Sequence, residues 1–574
     1  MISAAEPSAD ADRGIPERTL RHLEWSRLQA AWLARCKGDG ARRSGLSFAE
    51  DFDSARTALA ETAESMQLMA AGEPLPLDAL RDIAGQIERL ERGGVLDAPA
   101  LADIRVSLQH AGAIRRFLGA RREKLPALWR AAEFDPSLDG LEKQLADAIE
   151  VDGTLRDEAS DELARLRREI VTLRDRIIGR LQDVIDKQGD LLSDGYYTLR
   201  EGRYVLPVRR DAHERLHGIV HGESSSGASI FVEPRAVIAH GNRLKMAEAE
   251  REREELRILS AISELVREAT PQLRAAERSL NRLDLRNAAA LLGQAYDGRV
   301  PELVQQARAS LVAARHPTLA LAMPVVPNDM AIEHGHGVVI SGPNAGGKTV
   351  VLKTLGLCAL MVRAGLPLPV AEGSAIGFFS SVLTEMGDEQ STATNLSTFS
   401  AHVSHVAEML ARADDRSLVL LDELATGTDP GEGAALACAV LDAFCSRGAA
   451  VVVTTHYEAL KAFAEHDPRL RSASVGFSAE QLTPTFELLL DVPGASSALS
   501  VASRFGLPAA VIAMAERMLP EQAREFERLA RSLSEAVGRA RSEAAALADE
   551  RRAAETKRRE YDQLLLQLRE QSRR

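Results

Sequence analysis

Aromatic side chains are scarce in this chain: Phe, Trp and Tyr together make up 4% of 574 residues, while Asp, Glu, Lys and Arg make up 27%. Few rings and many Glu, Arg, Ala and Leu residues are the bias of long helices and coiled coils. Cysteine is equally sparse. Cys36, Cys358, Cys438 and Cys445 form no CxxC pair and no zinc spacing. That excludes a zinc ribbon and a disulfide scaffold and leaves reduced thiols in a cytoplasmic protein. There is no window of 18 consecutive apolar residues, and the opening stretch MISAAEPSADADRGIPERTL has no apolar signal core, so no membrane association is expected. Nor is there an excess of positive charge. With 71 basic and 84 acidic residues the net charge is −13, and no global field draws in nucleic acid. Any such contact must come from a local patch.

Length alone suggests about three or four domains, and the chain reads as four segments. Residues 1–17 read as a disordered tail rich in Ala, Ser, Pro and Asp. Residues 18–310 read as a long-helical core and lever arm, in which TLRHLEWSRLQAAWLARC and ELARLRREIVTLRDRIIGRLQDVIDKQGDLL repeat apolar residues at three and four. The period changes in YYTLREGRYVLPVRRD and GASIFVEP, which predicts short strands between Tyr196 and Val232, within a small β-rich tip at about 196–240. Residues 311–507 alternate strands, helices and Gly-rich turns, as an α/β domain does. Residues 508–574 are charged and helical, a solvated or partner-seeking coiled-coil segment. The expected fold class is therefore mixed: a helical core and lever with a β-rich tip, then an α/β P-loop domain of the ABC type, then a charged C-terminal helix.

The α/β stretch carries the chemistry. VVISGPNAGGKTV predicts a strand, a loop and the start of a helix. Gly342, Pro343, Asn344, Ala345, Gly346 and Gly347 form the loop, and Lys348, Thr349 and Val350 open the helix. The glycines let backbone N–H groups converge on phosphate oxygens. Lys348 would reach the terminal phosphates and Thr349 would bind Mg²⁺. A second buried strand, SLVLL, ends in Asp422 and Glu423. Asp422 would hold Mg²⁺ and Glu423 would polarise the attacking water. A third strand, AAVVVTTH, ends in His456, an imidazole where a γ-phosphate would lie. ATP and Mg²⁺ are the expected cofactors. His402 with His405, and His334 with His336, have no third ligand by spacing, and neither pair is read as a metal site.

These motifs, with MGDEQSTATNLSTFSAHV, LVLLDELATGTDPGEGAALA, TTHYEALKAFA and the tip sequence LREGRYVLPVRRDAHERLHGIVHGESSSGASIFVEP, resemble the MutS family of ATPases, and in particular its second bacterial branch, tied to recombination suppression and ribosome rescue. The resemblance implies that Ser397 reaches the γ-phosphate bound by the other subunit, that Asp429 lies in a loop crossing between subunits, and that Val325 and Val326 flank the adenine. It implies a homodimer bridged by ATP. It also implies a small β-barrel and an Smr nuclease domain after the ATPase. The chain stops inside the charged helix, so nuclease activity is not expected of it.

Three functions are compatible with this pattern. The leading one is a DNA-repair or recombination ATPase, a dimer that clamps branched or irregular DNA. A ribosome-associated ATPase acting on stalled or collided ribosomes needs the same parts, and the sequence does not separate the two. A scaffold that binds ATP but rarely turns over is disfavoured by the complete set of Lys348, Thr349, Asp422, Glu423 and His456. The candidate nucleic-acid contact is the β-rich tip. Between Arg200 and Lys245 eight basic residues face five acidic ones, and Arg203, Arg209 and Arg210 lead the set. An ordinary solvated hairpin would carry a similar small excess.

Overall fold

The computed structural model describes residues 14–518, apart from 46, 226, 344–345, 388–397, 426–427, 479–482, 493–501 and 503–505, together with scattered residues between 529 and 561. The described residues form two compact units. One comprises those of Met1–Cys36, Gly45–Pro74 and Leu285–Arg574, the other those of Lys37–Ser44 and Leu75–Asp284. Among the described residues no helix is long and apolar enough to cross a membrane. Residues 1–13 of the expected tail lie outside the described residues, whereas Ile15 is buried and Glu17 opens a helix, so order begins before the expected boundary at residue 17. Most of the C-terminal segment beyond the helix Ala509–Met518 also lies outside.

The second unit is mainly helical. Its longest elements are Asp161–Gln188, of 28 residues, and Arg235–Glu268, of 34 residues, which pack against each other. Ser160 caps the first: its side chain accepts the N–H of Leu163 at 3.2 Å. Leu163, Leu166, Ile170, Leu173, Ile177 and Leu181 then bury one face at the helical period. Charges outside that stripe pair between the two helices, as in Arg174 with Glu248 at 2.8 Å and Arg167 with Glu255 at 3.2 Å.

At one end of this pair sits a four-stranded antiparallel sheet, in the order Thr198–Arg200, Arg203–Arg209, Ser229–Pro234, Gly218–Glu223. These are the short strands that the change of period predicts. Leu206, Val208, Ile230 and Val232 share one core with the helical stripe. Arg200 pairs with Arg203 across a two-residue turn, and both central residues, Glu201 and Gly202, have positive φ (48° and 69°). This is the primed turn that suits strand twist, and it explains the glycine.

The first unit holds a six-stranded sheet in the order Ser381–Glu385, Ser417–Leu421, Ala450–Thr454, Gly337–Ser341, Leu470–Ser478, Thr483–Leu490. The first five strands are parallel and the last is antiparallel. The strands Ser417–Leu421, Ala450–Thr454 and Gly337–Ser341 are buried at every position. That is why they read as continuous apolar runs rather than as alternation. A smaller four-stranded sheet runs in the order Glu302–Val304, Ala375–Gly377, Arg308–Ala314, Asn328–Glu333.

Two helices near the start of the chain, Glu17–His22 and Trp25–Leu33, belong to this unit as well. Their periodicity groups them with the helices that follow in sequence, but Glu17–His22 packs on the edge strand of this sheet and Trp25–Leu33 on the helix Pro317–Ala320. Thr19 donates to the Val382 carbonyl at 3.0 Å, Val382 N–H donates to the Gly14 carbonyl at 3.1 Å, and Glu24 pairs with Lys353 at 2.8 Å.

Beside that last pair, His316 caps the short helix Pro317–Ala320. Its Nδ1 accepts the Leu319 N–H at 3.4 Å, which requires that nitrogen to be unprotonated. Burial, and then the Lys353 charge, push its pKa down to about 4. A histidine with a depressed folded pKa contributes stability that is present above its unfolded value and is lost as pH falls. Wild-type protein should therefore lose up to about 3 kcal/mol from this group as pH falls from about 6.5 to 4. His316→Asn should flatten the Tm-against-pH curve in that window. Parallel curves for the two proteins would remove His316 as the cause.

Candidate functional site

The strand Gly337–Ser341 runs in the middle of the parallel sheet and delivers the phosphate loop at its C-terminal end. Gly342 has φ +127° and Gly347 has φ +92°, conformations that side chains disfavour. Space is also short. A Cβ on Gly342 or on Gly346 would lie 2.6 Å from the Cγ2 of Val475 on the neighbouring strand. Gly346 N–H closes a turn onto the Pro343 carbonyl at 2.9 Å. Gly347 then caps the helix Lys348–Ala364, whose first-turn N–H groups point back into the loop. Val350 is exposed in that turn. Asn344 and Ala345 lie outside the described residues.

Lys348 is 2% exposed and its Nζ donates to the Gly342 carbonyl at 2.7 Å, with Glu423 Oε1 at 3.7 Å. Burial holds its pKa below the ordinary lysine value, against the pull of Glu423 and Asp422. A desolvated ammonium at the mouth of a glycine loop attracts negative charge strongly, as a polyphosphate would supply it.

Asp422 is the organising carboxylate. The Thr349 hydroxyl donates to its Oδ2 at 2.7 Å, the Thr454 hydroxyl donates to its Oδ1, and its own N–H donates to the Glu385 carbonyl at 2.8 Å. Thr454 also accepts the N–H of Glu423 at 2.9 Å. Glu423 and Ala425 both have left-handed backbone, φ +51° and +62°. The strand thus ends in a sharp turn that re-aims the Glu423 side chain. Tyr457 donates to the Ala425 carbonyl at 2.9 Å and braces that turn. Thr454 was not singled out from sequence. The available signal was a polar residue inside an otherwise apolar buried strand.

His456 is exposed at the end of Ala450–Thr454, with its ring centroid 4.6 Å from that of Tyr457. It lines a pocket of about 780 Å³ with Thr428, Pro430, Gly431 and Tyr457. Asp429 caps the helix Pro430–Ser446, accepting the N–H groups of Gly431 and Glu432 at 2.9 and 3.1 Å. Ser397 lies outside the described residues, and the helix Thr398–Arg412 begins directly after it.

Val325 and Val326 are half-buried, and the Asn328 side chain ties their stretch to the far edge of the sheet. Asn328 Nδ2 donates to the Phe486 carbonyl at 3.0 Å and its Oδ1 accepts the Leu488 N–H at 2.6 Å. Phe486 is 49% exposed with φ +62°, and its ring stands 3.2 Å from where a Cβ on Gly347 would be. An exposed aromatic beside the phosphate loop, in a chain with so few, is a second residue that sequence reasoning missed.

The arrangement fits a nucleotide with a hard cation. Thr349 and Asp422 offer oxygen donors, and the loop's backbone is too crowded for side chains but open to phosphate oxygens. Among the described residues no group of three or more His, Cys, Asp or Glu is arranged to hold a metal. Mg²⁺ needs none, since it is commonly bound through one or two protein oxygens, water and the phosphates themselves.

In the second unit, the three arginines of the tip are each paired. Arg203 meets Glu233 at 3.4 Å and Asn242 at 2.8 Å, Arg209 meets Asp211 at 2.8 Å, and Arg210 meets Glu223 at 3.3 Å. Glu233 is buried, whereas the partners of Arg209 and Arg210 are exposed.

Comparison with known proteins agrees with this geometry. The family model for MutS domain V matches residues 338–522, which include the phosphate loop, Asp422, Glu423 and His456. A protein named Endonuclease MutS2 from Anaeromyxobacter sp. (strain Fw109-5) is 40% identical over 530 residues, covering 88% of this chain and 65% of that protein. Another of the same name from Pelotomaculum thermopropionicum is 38% identical over 548 residues, covering 94% of this chain and 69% of that protein. A third, from Thermomicrobium roseum, is 40% identical over 530 residues. The chain spans about two thirds of the length of these relatives. Identity of this depth along nearly the whole chain, with the domain V match over the phosphate loop, places it in the MutS family, in the MutS2 branch.

Proposed function

We propose that this chain is a Mg²⁺-dependent ATPase that works as a homodimer and binds DNA, clamping branched or irregular duplexes. The observation that carries the ATPase reading is the convergence of Lys348, Thr349, Asp422 and Glu423 at the C-terminal ends of two parallel strands, Gly337–Ser341 and Ser417–Leu421, that flank Ala450–Thr454. Lys348 and the N–H groups around Gly346 and Gly347 bind the phosphates. Thr349 and Asp422 hold Mg²⁺, which when bound neutralises phosphate charge. Glu423, turned out of the strand by its left-handed backbone, takes up a proton from the attacking water. His456, exposed just after the strand Ala450–Thr454 that lies between those two, would contact the terminal phosphate. Phe486, with Val325 and Val326, forms the platform for the base.

DNA as the ligand is supported by family membership and by the relatives' printed name, since an endonuclease acts on nucleic acid. A dimer is supported by the family resemblance, in which Ser397 of each subunit completes the site of the other. Within the tip, Arg209 and Arg210 are the candidates for phosphate contact, because their carboxylate partners are solvent-exposed and exchange readily for phosphate. Arg203 is bound to buried Glu233 and serves the tip's own packing.

Three outcomes are expected. Glu423→Gln should retain ATP binding and lower kcat by about a hundredfold or more, because only the proton-accepting group is lost. Hydrolysis at the wild-type rate would remove Glu423 from that role, whereas Lys348→Ala should weaken nucleotide binding itself. Ser397→Arg and Lys348→Ala should each be inactive alone and recover activity when the subunits are mixed. Mixing without recovery under proven subunit exchange would show that each site is complete in one chain. Charge reversal of Arg209 and Arg210 together should lower affinity for branched DNA and reduce the slope of log K against log salt by about one per lost phosphate contact. Unchanged affinity and slope in the folded double variant would move the contact off the tip.

A further inference from the structure

The strand Ser381–Glu385 is the edge strand of the parallel sheet, covered by residues 14–22, and lies next to the strand that leads into Asp422. Its last residue, Glu385, is 3% exposed and belongs to none of the motifs. Its backbone carbonyl accepts the Asp422 N–H at 2.8 Å. Its carboxylate meets side chains from two helices. His402 Nδ1 donates to Oε1, His405 Nδ1 stands 3.9 Å from Oε2, and Arg18 Nη2 stands 3.8 Å from Oε1. Oε2 has no hydrogen-bond partner among the described residues. Arg18 also contacts the His405 ring, so the four side chains form one cluster. Thr19 and His22, on the same short helix as Arg18, hold the same strand through Val382 O at 3.0 Å and Thr384 Oγ1 at 2.9 Å.

A buried carboxylate is costly unless it is paired, and an apolar side chain of similar volume commonly serves stability as well or better. Glu385 therefore calls for a role besides packing, and its connections supply one. On its backbone side is the carboxylate assigned to Mg²⁺. On its side-chain side is the helix Thr398–Arg412, through His402 and His405. Spacing had shown these two histidines as a pair with no third partner, and the fold brings the partner from a distant strand.

We propose that Glu385 is a positioning residue of the ATPase. Its carboxylate anchors the helix Thr398–Arg412 to the edge strand Ser381–Glu385, whose last carbonyl accepts the Asp422 N–H, and Arg18 provides permanent countercharge. The inference rests on the composite-site reading, because Ser397 directly precedes that helix. Losing the anchor leaves the phosphate loop of the same subunit intact and misplaces the helix that serves the other subunit. The predicted signature is a loss in kcat with nucleotide affinity preserved. A displacement of about 1 Å in a positioning element lowers rate by about a hundredfold.

Steady-state ATPase, nucleotide binding with a fluorescent ATP analogue, and Tm would be measured for Glu385→Ala, Glu385→Gln, His402→Asn and Arg18→Gln in the full chain. Glu385→Ala should lose about a hundredfold in kcat with unchanged nucleotide affinity. Glu385→Gln keeps an acceptor oxygen for His402 and should lose less. His402→Asn and Arg18→Gln should shift kcat in the same direction. Folded Glu385→Ala with wild-type kcat, or a parallel loss of Tm and nucleotide affinity across all four variants, would overturn the proposal.

Mixed dimers give the second arm. Glu385→Ala subunits mixed with Lys348→Ala subunits should recover as much activity as the Ser397→Arg and Lys348→Ala mixture. Recovery in that control without recovery for Glu385→Ala would overturn action through the helix. Failure of the control would instead sink the composite site, and the kcat and affinity of the single variants would then decide for Glu385 alone.

Discussion

Strand register in the parallel sheet is the constraint on which the site depends. Glu385 pairs with Leu421, Leu421 with Val453, and Thr454 with Ile340. Because the four strands are locked at these steps, Asp422 emerges with the Glu385 carbonyl behind its N–H, the Thr454 hydroxyl on one carboxylate oxygen and the Thr349 hydroxyl on the other. A slip of one residue on any of these strands would turn that strand's own contribution to the opposite face and break the set. Full burial of the three central strands makes such a slip costly, since every position is packed on both faces. The apolar runs that look featureless in sequence are what hold the polar ends in place.

The parts of the site that were legible in sequence are those whose meaning is local. The glycines of the phosphate loop, Lys348 and Thr349 follow one another, and Asp422 and Glu423 end an apolar run. The strands of the tip were legible for the same reason, because alternation is read over a few residues, whereas the Glu201–Gly202 turn joining two of them was seen only in the fold. Thr454, Phe486 and Glu385 were not, because each acquires its meaning from a partner far away in the chain. The first two helices show the same limit. Their apolar residues Leu23, Trp25, Leu28 and Trp32 predict burial but do not say against what; the edge strand that receives the first helix and the helix Pro317–Ala320 that receives the second both lie hundreds of residues on.

Charge counting at the tip shows another limit of composition. The local excess of basic residues is real, but the fold pairs Arg203, Arg209 and Arg210 with carboxylates one by one. What distinguishes the three is the burial of the partner and not the number of charges. An arginine held by a buried acid is part of the packing, because separating the pair would strand a charge. An arginine held by an exposed acid gives up little when it exchanges that partner for another anion.

Val475 touches both Gly342 and Gly346 of the phosphate loop, and its strand forms the hairpin that carries Phe486. One methyl group therefore sets the clearance beneath two glycines, while the same hairpin sets the height of the ring beside Gly347. In the history of such a site these positions are not free to drift separately. A larger residue at 475 has nowhere to go unless the loop lifts, and a side chain at 342 or 346 has nowhere to go unless 475 shrinks. Covariation among 342, 346 and 475 is the trace this would leave across lineages, with 486 following through the shared hairpin.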